Sequence, residues 1–202
     1  MTAVPRLHAV TDDRVLALPD VLDRARALAL GPDVAIHLRG ALSGRPLLAL
    51  ADALRALTAA AGALLIVNDR LDVARLCRAD GLHLPARGLP VARVAAHPDR
   101  PHLVGRSTHA AADARAALAA GADYVFLGNV WPTASHPDRP PLGPAAIGVV
   151  SSARVIAIGG ITADRAAEAR AAGAGGVAAI RALWDAPDPA AAARNLLLSF
   201  SA

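Results

Sequence analysis

The sequence predicts a single-domain α/β protein, the (β/α)₈ or TIM barrel, and three observations support this. Its 202 residues suffice for one domain with a sizeable core. Short β-type runs alternate with alanine-rich amphipathic runs, a pattern typical of parallel strands joined by helical crossovers. There are eight such units, which favours a closed barrel over an open sheet. We expect this one domain to span residues 1–202.

The predicted strands are short apolar runs, and the predicted helices between them carry apolar residues at helical spacing. The strands cover residues 6–12, 33–39, 63–69, 80–85, 102–108, 124–130, 154–160 and 175–183. The helices cover residues 18–30, 45–61, 71–78, 90–96, 109–120, 144–151, 163–172 and 188–199. Segment 131–143 contains four prolines, so we expect an irregular loop beside the active site.

The composition excludes several classes of function. The net charge of +4 comes from 21 basic and 17 acidic residues, and every basic residue is arginine. The arginines are scattered, and two Trp, one Tyr and two Phe are too few for a base-stacking surface. We therefore expect no nucleic-acid partner. Without lysine the chain cannot form a Schiff base or a Walker A phosphate loop.

The lack of certain sequence features indicates the cellular compartment of the protein. No apolar run approaches the roughly 18 residues of a membrane span, and no signal-type apolar core follows Met1. Cys77 is the only cysteine, which excludes an intramolecular disulfide. We expect a cytoplasmic protein without a membrane partner.

Polar residues collect at the predicted C-terminal ends of the strands, where barrel enzymes have their active sites. They suit hydrogen bonding to a small-molecule substrate. The candidate substrate-binding residues are Arg39, Asn68, Arg106, Ser107, Thr108, Asn129, Thr133 and Ser135.

Glycines at the end of the seventh strand predict a phosphate site. Gly159 and Gly160 allow backbone N–H groups to approach an anion closely. The loop after the eighth strand completes the usual phosphate cup of such barrels, and Arg181 could add a bidentate contact. The simpler interpretation is a tight turn into a helix capped by Thr162.

Histidines near the predicted rim are candidates for acid–base catalysis, because imidazole titrates near neutral pH. His37 shares a strand face with Arg39, His83 closes the fourth strand, and His136 lies in the long loop. A hydrogen-bonded packing role is the simpler interpretation of each. His8 is expected to be peripheral.

The third strand ends in a possible metal site. Asn68 and Asp69 could cap the next helix, or they could hold a metal or a substrate oxygen. Magnesium usually requires more than one anionic partner, counting substrate phosphates. The fourth strand supplies Gly88 and no obvious second carboxylate.

Eight segments, taken in order, resemble one known family. They read LHAVTDD, IHLR, VNDRLDVA, DGLHLP, VGRSTH, GADYVFLGNVWPT, AIGGIT and GVAAI. Over residues 7–183 the chain resembles the thiamine phosphate synthase and TenI-type thiazole tautomerase family. The resemblance implies a (β/α)₈ barrel, an enzyme of thiamine biosynthesis and a phosphorylated thiazole as ligand. It is compatible with a homodimer.

In that family the synthase joins hydroxymethylpyrimidine pyrophosphate to thiazole phosphate, with magnesium on the pyrophosphate. Its second-strand motif Gln-x-Arg-x-Lys reads HLRGA at residues 37–41. Asn68 and Asp69 match its Asn-Asp pair, while Gly88 stands where it has a second metal carboxylate. Its loop Thr-x-Thr-Lys reads TASH at residues 133–136, so both lysines are absent.

The tautomerase of that family aromatises a carboxythiazole phosphate by moving a proton. Several segments resemble it more closely, among them LHAVTDD, IHLR and GRS, which contains Arg106. Its proton-transfer histidine is replaced by Asn129, and an amide cannot shuttle a proton near neutral pH. A tautomerase would therefore use His37, His83 or His136 as its base.

The sequence leaves three functions open. The preferred one is a TenI-like tautomerase that needs no cofactor and exchanges protons without metal. The second is a divergent synthase, in which Arg39, Arg106 and His136 replace the lysines and Asp69 holds Mg²⁺. The third is a non-catalytic binder of thiazole phosphate or thiamine phosphate, which would bind without turnover.

Overall fold

The computed structural model describes residues 3–133 and 138–201. Within them, eight strands alternate with helices along the chain. The strands are β1 Leu7–Val10, β2 Val34–Leu38, β3 Leu64–Asn68, β4 Gly81–Leu84, β5 Leu103–Thr108, β6 Tyr124–Gly128, β7 Val155–Ile158 and β8 Gly176–Ala179. The helices are α1 Asp13–Leu16, α2 Val21–Leu28, α3 Gly44–Ala61, α4 Leu71–Leu76, α5 Val91–Ala95, α6 Ala111–Ala119, α7 Ala145–Val150, α8 Ala163–Ala171, α9 Arg181–Trp184 and α10 Pro189–Ser201.

The eight strands form one closed parallel barrel in chain order. Each strand pairs with the next, and β8 pairs with β1 through the register Leu7 to Val177. This confirms the predicted (β/α)₈ barrel. In the same described residues, no helix combines the length and the apolar composition needed to cross a membrane.

The prediction of the eighth strand was wrong at its C-terminal end. The strand was expected to cover 175–183, but β8 ends at Ala179 and α9 begins at Arg181. The backbone turns at Ile180, which has φ −106° and ψ −81°. The run from 175 to 183 is apolar throughout except for Arg181, so its periodicity does not separate a buried strand from a short buried helix.

Alternate residues of each strand face different apolar layers, as the period of a strand requires. Along β2, Val34, Ile36 and Leu38 pack in the layer between strands and helices. Ala35 packs in the smaller cluster inside the barrel. His37 therefore faces the interior, on the side opposite to Leu38.

Side-chain caps fix two loops that lead into the helices. The Asp12 carboxylate accepts a hydrogen bond from the Val15 N–H at 2.9 Å, at the start of α1. The Thr162 hydroxyl accepts one from the Arg165 N–H at 3.3 Å, at the start of α8. Such caps pair backbone donors that a helix leaves free at its N-terminus. The cap predicted at Thr162 is therefore present.

The absence of a side chain at Gly105 leaves room inside the barrel for a large aromatic ring. Tyr124 is fully buried on β6, and its ring lies against Gly105 of the neighbouring strand β5. A Cβ at Gly105 would overlap the Tyr124 ring, with Cε2 only 2.5 Å away. Glycine at 105 is thus the condition for a large aromatic residue at 124.

We predict that Gly105→Ala lowers the free energy of unfolding by about 1–3 kcal/mol, because the added methyl group overpacks the interior. Gly148→Ala is the matched control, since its Cβ would meet only the Ala172 carbonyl oxygen at 3.7 Å. In helix α7 that change should be neutral or stabilising by up to about 1 kcal/mol. Equilibrium denaturation measures both variants. Equal stabilities would contradict this view of the interior.

Candidate active site

A cavity of about 760 Å³ opens at the C-terminal ends of the strands. Every strand contributes at least one residue to its lining. The volume lies within the roughly 300–1,000 Å³ of small-molecule sites. Its position is that of the active site in (β/α)₈ barrels.

Most of the predicted site residues come together around this cavity. Their chemical roles stay predictions, but their placement on one surface is a finding. The lining includes His37, Arg39, Asn68, His83, Ser107, Thr108, Asn129, Thr133, Gly159, Gly160 and Arg181.

Four predicted residues stand apart from that group. Arg106 was expected to bind substrate, but its guanidinium donates to the carbonyl oxygens of Ala86 at 2.8 Å and Leu89 at 2.7 Å. It thereby holds the loop after β4 and is absent from the cavity lining. The candidate metal ligand Asp69 follows the lining residue Asn68 but does not itself line the cavity. The remaining two, Ser135 and His136, lie outside the described residues.

The floor of the cavity is a cluster of buried aromatic rings. His37, His83 and Phe126 line it, and each is at most 3 % exposed. The Phe126 ring centroid lies 4.2 Å from that of His83 and 5.0 Å from that of His37. His8 and Tyr124 pack beneath them with 0 % exposure. The prediction that His8 is peripheral was wrong, because nothing in a short strand pattern shows which face is inside a barrel.

The imidazoles of the floor are hydrogen bonded in two chains. His8 Nε2 lies 2.9 Å from the Pro5 carbonyl oxygen, and His8 Nδ1 lies 2.7 Å from His37 Nε2. His83 Nδ1 lies 3.1 Å from the hydroxyl oxygen of Tyr124. Its Nε2 lies 2.8 Å from the hydroxyl oxygen of Ser107.

Burial keeps these three imidazoles neutral. It lowers the pKa of His8 to about 3 and that of His83 to about 3. Burial also holds the pKa of His37 well below its usual value, and the neighbouring His8 and His83 add to that effect. Taking a charged imidazole out of water is unfavourable, so the neutral form dominates at pH 7. Such imidazoles are poor proton acceptors near neutral pH.

The predicted phosphate cup has the required backbone. Gly159 has φ +98° and Gly160 has φ +66°, which L side chains rarely adopt. A Cβ at Gly159 would lie 2.5 Å from Asn129 Cβ, and one at Gly160 would overlap the Pro132 carbonyl oxygen. Only glycine fits these two positions, which lie directly beside α8.

Arginines form the rim of the cavity. Arg39, Arg139, Arg165 and Arg181 all line it, and none takes part in the ion pairs found between described residues. Arg165 Nη1 donates to the Gly160 carbonyl oxygen at 2.6 Å, and its guanidinium carbon lies 5.9 Å from the centre of the Trp131 ring. Guanidinium groups that are not engaged in such ion pairs suit an anionic ligand.

Comparison with known proteins agrees with this geometry. The family model described as thiamine monophosphate synthase (TMP-TENI) matches residues 7–183. The chain belongs to this family. It is therefore an enzyme of thiamine biosynthesis, as the sequence predicted.

Individual members of the family match over nearly their whole length. A thiamine-phosphate synthase of Methanoculleus marisnigri is 45% identical over 195 residues, covering 94% of this chain and 92% of that protein. One of Chlorobium luteolum is 40% identical over 197 residues, covering 96% and 92%. The solved structure of a thiamine phosphate pyrophosphorylase from Pyrococcus furiosus has a TM-score of 0.82 at 29% identity, covering 97% of this chain and 95% of that one.

A synthase of this family is expected to bind magnesium, and the candidate ligand at the end of β3 is the Asp69 carboxylate. Asp69 follows β3, and a Cβ at Gly88 would lie 3.1 Å from its Oδ1. A carboxylate at position 88 would thus adjoin Asp69, but glycine supplies none. The described residues contain no group of three acidic, histidine or cysteine side chains fit for a metal. Magnesium is commonly held by one or two carboxylates together with substrate phosphates, so Asp69 fits the smaller of these sets.

Sequence reasoning missed Arg139, Arg165 and Asp13 in the lining of the cavity. Arg165 is the third residue of α8, where helical periodicity marks it only as polar, and Arg139 lies in the irregular loop. Asp12 and Asp13 also line the cavity, but both have partners. Asp12 caps α1, and the Asp13 carboxylate accepts the Ala41 N–H at 2.5 Å.

Acid should destabilise the fold through the buried histidines. Their pKa is near 6.5 in the unfolded chain and lower in the folded one. As the pH falls from 6.5 to 4, the unfolded chain therefore binds more protons, and the free energy of unfolding decreases. Each histidine adds up to about 1.4 kcal/mol per pH unit. Denaturation between pH 7 and pH 4 measures the slope.

The control for this pH dependence compares a buried with an exposed histidine. His8→Phe should reduce the slope by about one proton, whereas His102→Gln, at an exposed position, should leave it unchanged. A wild-type stability that stays constant between pH 6.5 and pH 5 would show that these histidines take up protons equally in the folded and unfolded chains, which would contradict a pKa lowered by burial.

Gly160→Ala should weaken the binding of thiazole phosphate about tenfold or more, a loss of roughly 1.4 kcal/mol. The methyl group would overlap the Pro132 carbonyl oxygen and approach Arg165 Nη1 to 3.0 Å. Gly31→Ala is the control, because Gly31 has φ +88° and its Cβ would meet no atom within 4 Å. It shares the backbone strain but lies before β2, at the other end of the barrel. Equal affinities of the two variants in calorimetry would place the phosphate elsewhere.

Proposed function

We propose that this enzyme is a thiamine-phosphate synthase, which joins hydroxymethylpyrimidine pyrophosphate to thiazole phosphate. The observation that carries the proposal is the electrostatic character of the cavity, an arginine rim above a floor of neutral imidazoles. The relatives named above as thiamine-phosphate synthases support it.

The chemistry of that reaction matches such a cavity. The bond between the pyrimidine methylene carbon and the pyrophosphate oxygen breaks, and pyrophosphate leaves with the electron pair. The thiazole nitrogen supplies its lone pair to the same carbon, so a C–N bond forms and the thiazole becomes a cation. No proton is gained or lost in this exchange. The protein therefore has to stabilise the charge of the leaving group and needs no general base.

Opposite sides of the barrel offer separate places for the two anions. Strands β3 and β7 are four strands apart in the closed order of eight, so they face one another. We assign the thiazole phosphate to Gly159 and Gly160 after β7, with Arg165 and the start of α9 beside them. The pyrophosphate belongs to the β2 and β3 side, where Arg39 lines the cavity and its guanidinium pairs with no described residue.

Asp69 would hold magnesium at that second side, with Asn68 next to it. When bound, the metal would neutralise charge on the departing pyrophosphate. Arg39 contributes the fixed positive charge of the protein at this place. Arg139, from the loop after β6, adds another guanidinium to the rim. Arg139 would thus serve in place of Arg106, whose guanidinium is engaged with the loop after β4.

The tautomerase preferred from the sequence is less well supported. It needs a base that exchanges a proton near neutral pH, and Asn129 cannot be that base. Its other described candidates, His37 and His83, have pKa values lowered by burial. The names of the protein's relatives and the proton balance of the reaction both favour the synthase.

A product assay tests the proposal. With hydroxymethylpyrimidine pyrophosphate, thiazole phosphate and magnesium, the enzyme should form thiamine phosphate and release pyrophosphate. Asp69→Asn should lower kcat/KM about 100-fold, because a metal ligand loses its charge. Asp72→Asn is the control, since its carboxylate is largely exposed and pairs with Arg70 on the surface. It should retain wild-type turnover.

Two outcomes would overturn the proposal. One is turnover of the carboxythiazole tautomer in the presence of a chelator, without thiamine phosphate formation from the other substrates. The other is binding of thiazole phosphate with no turnover of either substrate set. The first outcome establishes the tautomerase, and the second establishes a binder.

A further inference from the structure

The side chain of Asn129 is buried just after β6, where it lines the cavity with 6 % of its surface exposed. Its Nδ2 donates to the Arg139 carbonyl oxygen at 3.2 Å and to the Trp131 carbonyl oxygen at 3.4 Å. Because a carbonyl group can only accept a hydrogen bond, the amide nitrogen must face both partners. The orientation of this side chain is therefore determined by its contacts.

The oxygen of the same amide group makes no such contact. Asn129 Oδ1 is buried and has no hydrogen-bond partner among the described residues. A buried unpaired acceptor is unfavourable, since it loses its hydration without compensation. Within the described part of the chain, the hydrogen bonds of this side chain are therefore only those that its nitrogen donates.

The two arms of the loop after β6 are paired at their base by the backbone. The Leu142 N–H donates to the Asn129 carbonyl oxygen at 2.9 Å, and the Gly143 N–H donates to the Val130 carbonyl oxygen at 3.0 Å. The hydrogen bond from Asn129 Nδ2 to Arg139 extends this pairing further along the second arm. Without the side chain of Asn129 the base of the loop would stay paired, whereas the backbone at Arg139 would lose this contact.

Arg139 is an exposed residue that lines the cavity, and none of the ion pairs found between described residues includes it. Under the proposed synthase function, on which this step rests, its guanidinium adds positive charge for the pyrophosphate. An arginine on an unrestrained loop loses conformational entropy when it binds an anion. A hydrogen bond that fixes its backbone beforehand reduces that loss.

We propose that Asn129 is a positioning residue of the synthase reaction, which holds the backbone of Arg139 so that its guanidinium binds the departing pyrophosphate. Asn129 touches no substrate in this role. Its effect on pyrophosphate passes through Arg139, and it disappears when the arginine side chain is absent.

Calorimetry with inorganic pyrophosphate and magnesium tests this role without turnover. Asn129→Ala should raise the Kd for pyrophosphate about fivefold, and Arg139→Ala should raise it about tenfold. The Kd for thiazole phosphate should stay within about twofold in Asn129→Ala, because the atoms of Asn129 that pack against Gly159 are Cα and Cβ, which alanine retains. Asn195→Ala, at an exposed position of α10, is the matched control and should bind both ligands like the wild type.

A double-mutant cycle separates positioning from a general loss of stability. If Asn129 acts through Arg139, Asn129→Ala should change the Kd for pyrophosphate by less than about twofold once residue 139 is already alanine. A merely structural role would weaken binding by the same factor in both backgrounds. Additive effects, or a Kd for thiazole phosphate that rises as much as that for pyrophosphate, would overturn the proposal.

Nitrogen-15 NMR of asparagine-labelled protein tests the contact directly, even if Asn129→Ala does not fold. The chain has three asparagines, so the carboxamide signal of Asn129 is identified by elimination with Asn68→Asp and Asn195→Ala. Its N–H protons should exchange slowly with water, whereas those of the exposed Asn195 should exchange fast. Magnesium pyrophosphate should shift the Asn129 signal in the wild type but not in Arg139→Ala. Fast exchange, or the same shift in both proteins, would contradict the inference.

These measurements separate this inference from the proposed function. Robust synthase turnover with additive effects of the two substitutions rejects the role of Asn129 alone. An absence of synthase turnover, together with coupled effects on pyrophosphate binding, rejects the function and leaves the link between Asn129 and Arg139 standing. If the wild-type protein binds no pyrophosphate, Arg139 has no such ligand and the inference is rejected.

Discussion

The interior of a closed eight-stranded barrel must be filled by inward-facing side chains, and most other features of this protein follow from how it is filled. Tyr124 and Phe126 from one strand meet His8, His37 and His83 from three others. Glycine at position 105 leaves room for the Tyr124 ring. The result is a packed lower half and an open upper half, and the boundary between them is the floor of the cavity.

The same burial determines what the floor can do. Imidazoles without access to water lose their basicity, so the floor offers shape and hydrogen bonds but no effective proton acceptor at neutral pH. Chemistry that breaks a C–O bond to pyrophosphate and forms a C–N bond has no need of one. The charges that such a reaction does need lie higher, on guanidinium groups at the rim. Under the proposed function, the floor would recognise the heterocycle and the rim would stabilise the anions.

The fold was predictable because it depends on features repeated eight times, the alternation of strand and helix and the polar residue at each strand end. Placement of His37, Asn68 and Gly159 around one cavity follows from that alternation alone. His8 was missed because its burial depends on barrel closure, which pairs β1 with β8 across the whole chain. Arg165 was missed because a polar residue on an early helical turn has no pattern that distinguishes the cavity from solvent. The helical turn at Arg181 was missed because short buried helices and strands share an apolar composition.

The absence of lysine is consistent with an anion site placed above a dry floor. A lysine brought close to this apolar layer would lose protonation, because burial disfavours its charged form. Arginine stays charged there, is more weakly hydrated than an ammonium group, and can present two N–H groups to one phosphate. Arg165 shows how such a group is held, since it donates to the Gly160 carbonyl oxygen while its guanidinium approaches the Trp131 ring. The proposed metal site has Asp69 as its one carboxylate, whereas other sites of this kind would have two. More of the positive charge in this cavity would therefore come from the fixed guanidinium groups.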